Sequence, residues 1–310
     1  MKNIDIICIG EVLIDFIGHE MNTSINRTKD YHRFMGGSPT NVAVNAARIG
    51  LNPLLVASCG QDGLGDYIIR KLKSNNLEIA SIKKINSVPT SIILVSKSTE
   101  TPDFIPYRQA DCEITLEQLP DEIIQQAKIF HTTCFALSKN PARDTILNRA
   151  KKAKEYGLKL SIDLNFSERI WPNREEANEI INEYLKNDPL LKISEDDCYR
   201  LFAKVKSEDY IFEYFHNLGV STICLTKGKN GVVVSDKVHG LFYQDAEYIQ
   251  EVKDTTGAGD AFWTGFLYSQ IKGKDIKTSI TIAQKLASIK LQSVGRLPDN
   301  INVEKILKLI

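Results

Sequence analysis

The sequence predicts an α/β protein: a mainly parallel sheet with helices on both faces, spread over 310 residues. Two observations carry this. Short apolar runs alternate with amphipathic stretches along most of the chain. Several of those runs are apolar on both faces, as strands are when helices cover both sides of their sheet. No internal repeat, low-complexity tract or flexible linker interrupts the pattern, so one unit spanning residues 1–310 is expected.

Taken in order, the strands fall at 4–9, 54–58, 128–134, 158–163, 220–226 and 232–235. Helical periodicity places helices at 39–49, 66–73, 142–156, 174–185, 209–218, 260–271 and 278–291. The first helix carries its own punctuation. Ser38 can cap it, Pro39 suits its first turn, and Gly50 can close it in a left-handed conformation. Segments 11–34 and 86–112 break the rhythm, being richer in polar, β-branched and aromatic residues with Thr, Ser and Pro turn signals. They are expected to form a small antiparallel excursion, a lid or a subunit-contact sheet.

The composition mainly excludes. Lys plus Arg number 39 and Asp plus Glu number 39, with neither sign gathered in a tail, which argues against nucleic acid as a partner. No apolar run reaches the roughly 18 residues a bilayer helix needs, so no membrane partner is expected. The start, Met1 to Asp5, reads as the approach to a strand and not as a leader. The six cysteines are scattered without CxxC or zinc spacing, and most lie in apolar surroundings. Buried free thiols in a reducing cytoplasm are the expectation.

The strongest chemical signal is the string from Asp254 to Phe266, where Gly257-Ala258-Gly259-Asp260 precedes an apolar helix. Amides at a helix N-terminus lack intrahelical partners, so they can face an anion with the helix dipole assisting. A carboxylate in that first turn would repel the anion. Asp260 makes sense there if it takes a proton from a hydroxyl that attacks the phosphate held by the loop. Two rival phosphate motifs fail. A dinucleotide fingerprint needs a third glycine where Phe262 stands, and a Walker A loop needs a Gly-Lys-Ser/Thr that the chain lacks. An NAD-dependent dehydrogenase is thereby set aside. A second string, Gly36-Gly37-Ser38-Pro39-Thr40-Asn41, places paired glycines and a polar Asn41 before a helix of small residues, as a sugar hydroxyl approaching bare backbone would require.

These strings resemble the two signatures of the ribokinase-like (PfkB) carbohydrate kinases, in the right order and separation, and the resemblance runs from Ile9 to Pro298. It implies a three-layer αβα fold with a small β-sheet lid. It implies an anion hole at Gly257, Ala258 and Gly259, Asp260 as the catalytic base, and Gly36, Gly37 and Asn41 touching the sugar. Asp15 matches an early aspartate that accepts bonds from sugar hydroxyls. Thr226, Gly228 and Gly231 match a segment beside the ATP phosphates, and Ala283 and Ala287 would flank adenine.

Ser194-x-x-Asp197 departs from the family's Asn-x-x-Glu, which weakens the indirect Mg²⁺ role that Asp197 would inherit; Mg²⁺ itself is still expected, carried largely by substrate oxygens. Asp254 and Thr255 match positions associated with a monovalent cation, which extends the expectation to K⁺. Asp163-Leu164-Asn165 to Pro172 resembles the fructokinase and 2-keto-3-deoxygluconate kinase branch, bringing Asn165, Arg169 and, after the lid, Arg108 to the sugar. Arg169 stands two positions late, with Ser167 in the usual place, which tilts the expectation towards a neutral sugar. The implied activity is transfer of the γ-phosphoryl of ATP to a primary hydroxyl, with fructose ahead of a sugar acid, another ketose or a nucleoside. A catalytically silent regulator of the same fold is the alternative from another class. A homodimer paired through the lid is expected.

Overall fold

The computed structural model describes residues 2–98, 103–293, 297–299 and 301–307. The chain opens with β1 (Ile4–Ile9), β2 (Leu13–Met21), β3 (Tyr31–Gly36), α1 (Ser38–Arg48), β4 (Pro53–Gly60), α2 (Gly63–Ser74), β5 (Ile82–Ile85), β6 (Ile92–Lys97) and β7 (Phe104–Tyr107). Next come α3 (Asp121–Ile124), β8 (Ala127–Thr133), α4 (Ala142–Glu155), β9 (Lys159–Asp163), α5 (Arg174–Leu185), β10 (Leu190–Ser194), α6 (Glu195–Phe202) and α7 (Glu208–Asn217). It finishes with β11 (Thr222–Thr226), β12 (Val232–Asp236), β13 (Gly240–Gln244), α8 (Ala258–Ile271), α9 (Ile276–Leu291) and α10 (Val303–Leu307).

Nine strands pair in the order β13-β12-β11-β10-β9-β8-β1-β4-β5. From β11 to β5 every pairing is parallel, and only β12 and β13 turn back antiparallel at one edge. Successive side chains leave opposite faces of a strand. Along β1, Ile7 and Ile9 therefore join one apolar layer while Ile6 and Cys8 join the other. Helices α4 to α7 supply Ile146, Ile181, Leu201 and Phe215 to the first layer. Helices α1, α2, α8 and α9 supply Val42, Ile68, Phe266 and Leu286 to the second. The result is the three-layer αβα arrangement, and it explains strands with no polar face. Helix α8 is buried on nearly every side and meets α9 at Gly265, where a Cβ would lie 2.8 Å from the Cα of Ala283. All six cysteines are free and buried.

The excursion is a separate four-stranded sheet ordered β3-β2-β6-β7. Three expectations about it change. Its central pair, β2 with β6, is parallel, so the sheet is mixed and not antiparallel. Its first half runs on to Gly36, whereas Glu11 and Val12 lie buried in the body as the approach to it. Its second half ends at Tyr107, and residues 110–112 form a buried 3₁₀ turn packed against β4. Residues 99–102 of the second segment lie outside the described residues.

Three body strands escape the periodicity. β10 is interrupted by a lysine, β5 is the charged Ile-Lys-Lys-Ile, and β13 is a half-exposed edge. Helix α2 begins three residues early because Asp62 caps it, accepting from the amides of Leu64 and Gly65 at 3.0 and 2.8 Å. Gly50 does close α1 at φ +82°, but Ser38 does not cap it.

Candidate active site

The C-terminal ends of the central strands, the N-terminus of α8 and the root of the lid bring Asp15, Asn41, Asp260 and Lys192 into one interacting cluster. Gly257 caps α8 at φ +75°, a left-handed geometry that suits glycine, and leaves the first turn open, with Gly259 exposed. The amides of that turn have no intrahelical acceptors. The Ala258 amide is turned back onto the Thr255 carbonyl at 3.2 Å, so it is the least available of the three residues expected to form the anion hole.

Asp260 lies in this turn and is fixed from α1. The Ser38 hydroxyl donates to Oδ1 at 2.6 Å and the Asn41 amide donates to Oδ2 at 2.8 Å. Ser38 is the first residue inside α1, so the cap position falls to Gly37, which has no side chain to cap with. Protein surrounds the Asp260 carboxyl while leaving part of it accessible. Burial, with a contribution from Asp163 and against the bonds from Ser38 and Asn41, pushes its pKa up to about 6. A carboxylate so tuned accepts a proton near neutral pH.

Asp15, on lid strand β2, faces the same space, and its pKa is pushed up to about 7 by burial and then by Asp260. Gly36 makes room for it, because a Cβ there would fall 1.9 Å from Asp15 Oδ2. Gly37 holds φ +106° with a Cβ position 2.2 Å from the Glu11 carbonyl oxygen, so it too admits no side chain. Asp15, Gly36, Gly37, Asn41 and Asp260 are thus brought together, as the sequence implies.

Two residues that the sequence did not flag complete the floor. Lys192, from the unexpected β10, places Nζ 2.8 Å from both carboxylate oxygens of Asp163 and 3.4 Å from where a Gly259 Cβ would be. Burial pulls its pKa down, but Asp163, Asp197 and Asp260 together hold it above the ordinary value. Glu11 receives the Ser38 amide at 3.1 Å and the Thr133 hydroxyl at 2.9 Å, and burial lifts its pKa to about 8. The signal for Lys192 was a cation inside an apolar run; for Glu11, a carboxylate directly after an apolar strand.

Three other expected positions already have partners within the protein. Arg108 is buried and committed. Nε and Nη2 donate to Asp111 at 2.9 and 2.6 Å, Nη1 donates to the Phe135 carbonyl at 3.1 Å and to Ser138, and the guanidinium stacks on the Phe135 ring. Asn165 accepts the Phe135 amide at 3.1 Å. Arg169 pairs with Asp103 and donates to the Phe104 carbonyl, tying the body to lid strand β7.

Thr226 and Gly228 border the open loop after β11, but Gly231 is buried, with a Cβ position 2.1 Å from the Gln244 carbonyl, and so serves the turn. Ala283 faces inward against Gly265 and offers nothing to a base, whereas Ala287 stays partly accessible. Asp197 closes a capping box with Ser194 and pairs with Arg200 at 2.9 Å, so both its oxygens are engaged. Among the described residues no group of three or more His, Cys, Asp or Glu could hold a metal ion. A divalent cation here would rely on substrate phosphate oxygens. At Asp254 the neighbour is the Lys290 ammonium, 3.2 Å from Oδ2.

An open helix N-terminus for an anion, with a tuned carboxylate in its first turn and a second carboxylate on a lid strand, defines a phosphotransferase acting on a hydroxyl. The pattern of the pfkB family carbohydrate kinases matches residues 3–301, and the chain belongs to that family. It is 33% identical to an ATP-dependent 6-phosphofructokinase of Thermoanaerobacterium thermosaccharolyticum, over 98% of this chain and 93% of that one. A solved fructokinase of Halothermothrix orenii is 34% identical, covering 89% of this chain and 96% of that one, with a TM-score of 0.79. A sugar kinase of Pyrococcus horikoshii, solved in complex with ATP, is 27% identical over 98% of this chain and 97% of that one, with a TM-score of 0.84. The protein is a sugar kinase that uses ATP, of the fructokinase-like branch. Among the described residues no helix is long and apolar enough to cross a membrane.

Proposed function

We propose that the enzyme phosphorylates a neutral ketohexose, fructose first, at a primary hydroxyl. The observation that carries the mechanism is Asp260, held by Ser38 and Asn41 in the first turn of α8. Asp260 takes the hydroxyl proton as the sugar oxygen bonds to the γ-phosphorus, the bond to the bridging oxygen breaks, and ADP departs. The open amides of the Gly257–Gly259 turn and the nearby Lys192 ammonium offset charge on the group in flight. Mg²⁺ would arrive with the nucleotide, since the protein offers no carboxylate cluster to hold it among the described residues, and would supply charge neutralisation to the phosphates. Asp15, Asn41 and the bare backbone of Gly36 and Gly37 orient the sugar, with Asn165 at its margin. Thr226, Gly228 and Ala287 border the nucleotide. The whole chain acts as one kinase unit, in the reducing cytoplasm that six buried free thiols suit. It pairs as a dimer through the lid sheet, where Phe34 and Ile105 lie exposed; light scattering on the eluting protein reads that state.

Fructose 6-phosphate is the second reading, favoured by the 33%-identical phosphofructokinase. Against it, Arg108 is committed to Asp111, Phe135 and Ser138, and Arg169 to Asp103 and Phe104, so neither fork faces a phosphate. Coupled ADP release across fructose, fructose 6-phosphate, 2-keto-3-deoxygluconate, ribose and adenosine decides. The highest kcat/KM is expected for fructose. A tenfold preference for the 6-phosphate, about 1.4 kcal/mol, overturns the neutral-sugar choice. Turnover of none of them overturns the kinase mechanism.

A further inference from the structure

Lys290 lies in the last turn of α9 with its side chain 2% exposed, and its ammonium is directed at three oxygens. Nζ stands 3.2 Å from Asp254 Oδ2, 3.4 Å from the Asp254 carbonyl and 3.3 Å from the Ser293 carbonyl. An ammonium is a compact cation with three donors, and three acceptors meet it here. The carboxylate and two carbonyls are oxygens of the type that bind an alkali-metal ion. Family resemblance assigns such an ion to Asp254 and Thr255. The residues present do not suit one: a second monovalent cation among these oxygens would sit against a positive charge that cannot retreat to water.

The cation is also mechanically linked to the phosphate-facing turn. Asp254 Oδ1 accepts the Thr256 amide at 2.9 Å while Oδ2 meets Lys290, so one carboxylate joins the ammonium to the loop. The loop is stitched to the end of α9 by the Lys253 and Asp254 amides, at 2.8 and 3.4 Å from the Leu291 carbonyl. Lys290 Cε passes 3.8 Å from the position a Gly257 Cβ would take. The Lys290 side chain thus lies against Gly257, the residue that opens the turn proposed to face the transferred phosphoryl group.

We infer that Lys290 is a built-in replacement for the monovalent cation, a positioning residue that sets the Asp254–Gly259 loop and frees the enzyme from alkali-metal activation. This rests on the kinase reading but not on the choice of sugar. The wild-type protein is compared in K⁺, Na⁺ and tetramethylammonium chloride at constant ionic strength, by steady-state kinetics and by the melting temperature of the ligand-free protein. Both are expected to be the same in all three salts. Activation by K⁺ of about fivefold or more over tetramethylammonium, or a K⁺-specific rise in melting temperature, overturns the inference.

The Lys290→Ala protein is expected to lose about 100-fold in kcat, the order that a small misplacement of reacting groups costs. It should recover at least part of that loss in K⁺ but not in tetramethylammonium, and gain a K⁺-dependent rise in melting temperature. Full activity of Lys290→Ala in tetramethylammonium, or a loss that K⁺ leaves untouched, also overturns it. Should that variant fail to fold, Lys290→Gln is read in the same way, and the wild-type melting comparison is decisive whether or not the right sugar has been found.

Discussion

Replacing Asp260 by Asn separates the base from everything around it. The Asn carbonyl can still accept from Ser38, but its amide would point at the Asn41 amide, which must flip to present its own oxygen. The fold survives and the proton acceptor is gone. A positioned base contributes about 10²–10⁴-fold, so kcat should fall by that order with little change in the KM for ATP. The pH profile supplies a second magnitude. With the Asp260 pKa near 6, wild-type kcat/KM falls on an acidic limb centred there, reaching about one-tenth of its plateau one unit below.

Stability gives a third reading. The carboxyls of Asp260 and Asp15 sit above their ordinary values, so between about pH 4 and 7 the native state binds more protons than the unfolded state. Their contribution is fully present below about pH 4 and is lost as pH rises through 6 and 7. Asp260→Asn should therefore raise the melting temperature at pH 8 and leave it nearly unchanged at pH 4. Coupled ADP release and differential scanning fluorimetry across pH 4–9 read all three. An acid limb near pH 4 in the wild type, or an Asn variant within fivefold of wild-type kcat, would refute the reasoning.

Two further outcomes follow from the same pocket. Gly36→Ala puts a methyl where the Asp15 carboxyl now lies, so the sugar KM should rise tenfold or more while the KM for ATP stays near wild type; equal increases in both would remove Asp15 from the sugar. Lys192→Met strips the buried Asp163 of its partner and should cost about 3–5 kcal/mol in chemical denaturation, with a raised KM for ATP; an unchanged denaturation midpoint would show that the pair is not structural.

The body of the fold was legible because apolar layers on both faces leave strands such as β1 without a polar side, and amphipathic helices between them leave little choice of topology. β10 was not legible. Lys192 interrupts its apolar run, and the lysine is tolerable only because β9 brings Asp163 beside it, a pairing that sequence distance hides. β5 and β13 failed for the opposite reason: half-exposed sheet edges carry no apolar pattern to find. In the site, glycines betrayed Asp260 and Asn41, because close approach of backbone leaves a mark in composition, whereas Asp15 was found by family resemblance alone. Ser38, Arg108 and Lys290 left no such mark. Ser38 looked like a cap, Arg108 like a free ligand, and Lys290 like one more lysine on a helix, since each is decided by a partner that folding supplies. Ala283, expected to flank adenine, lies buried where α9 meets Gly265 of α8, a contact that the sequence pattern did not reveal.

That meeting of Gly265 and Ala283 has a bearing on how the enzyme varies as well as how it stands. A methyl at position 265 would strike backbone, and the backbone could yield only by carrying α9, and Lys290 with it, away from α8 and Asp260. The base and the loop-setting ammonium are in effect mounted on one rigid block, while Asp15 rides on the lid. Drift in the lid can retune which sugar is accepted without disturbing the phosphoryl-transfer geometry. Drift at the seam cannot, and because the obstacle is backbone, no change of side chain at 283 can make room for one at 265.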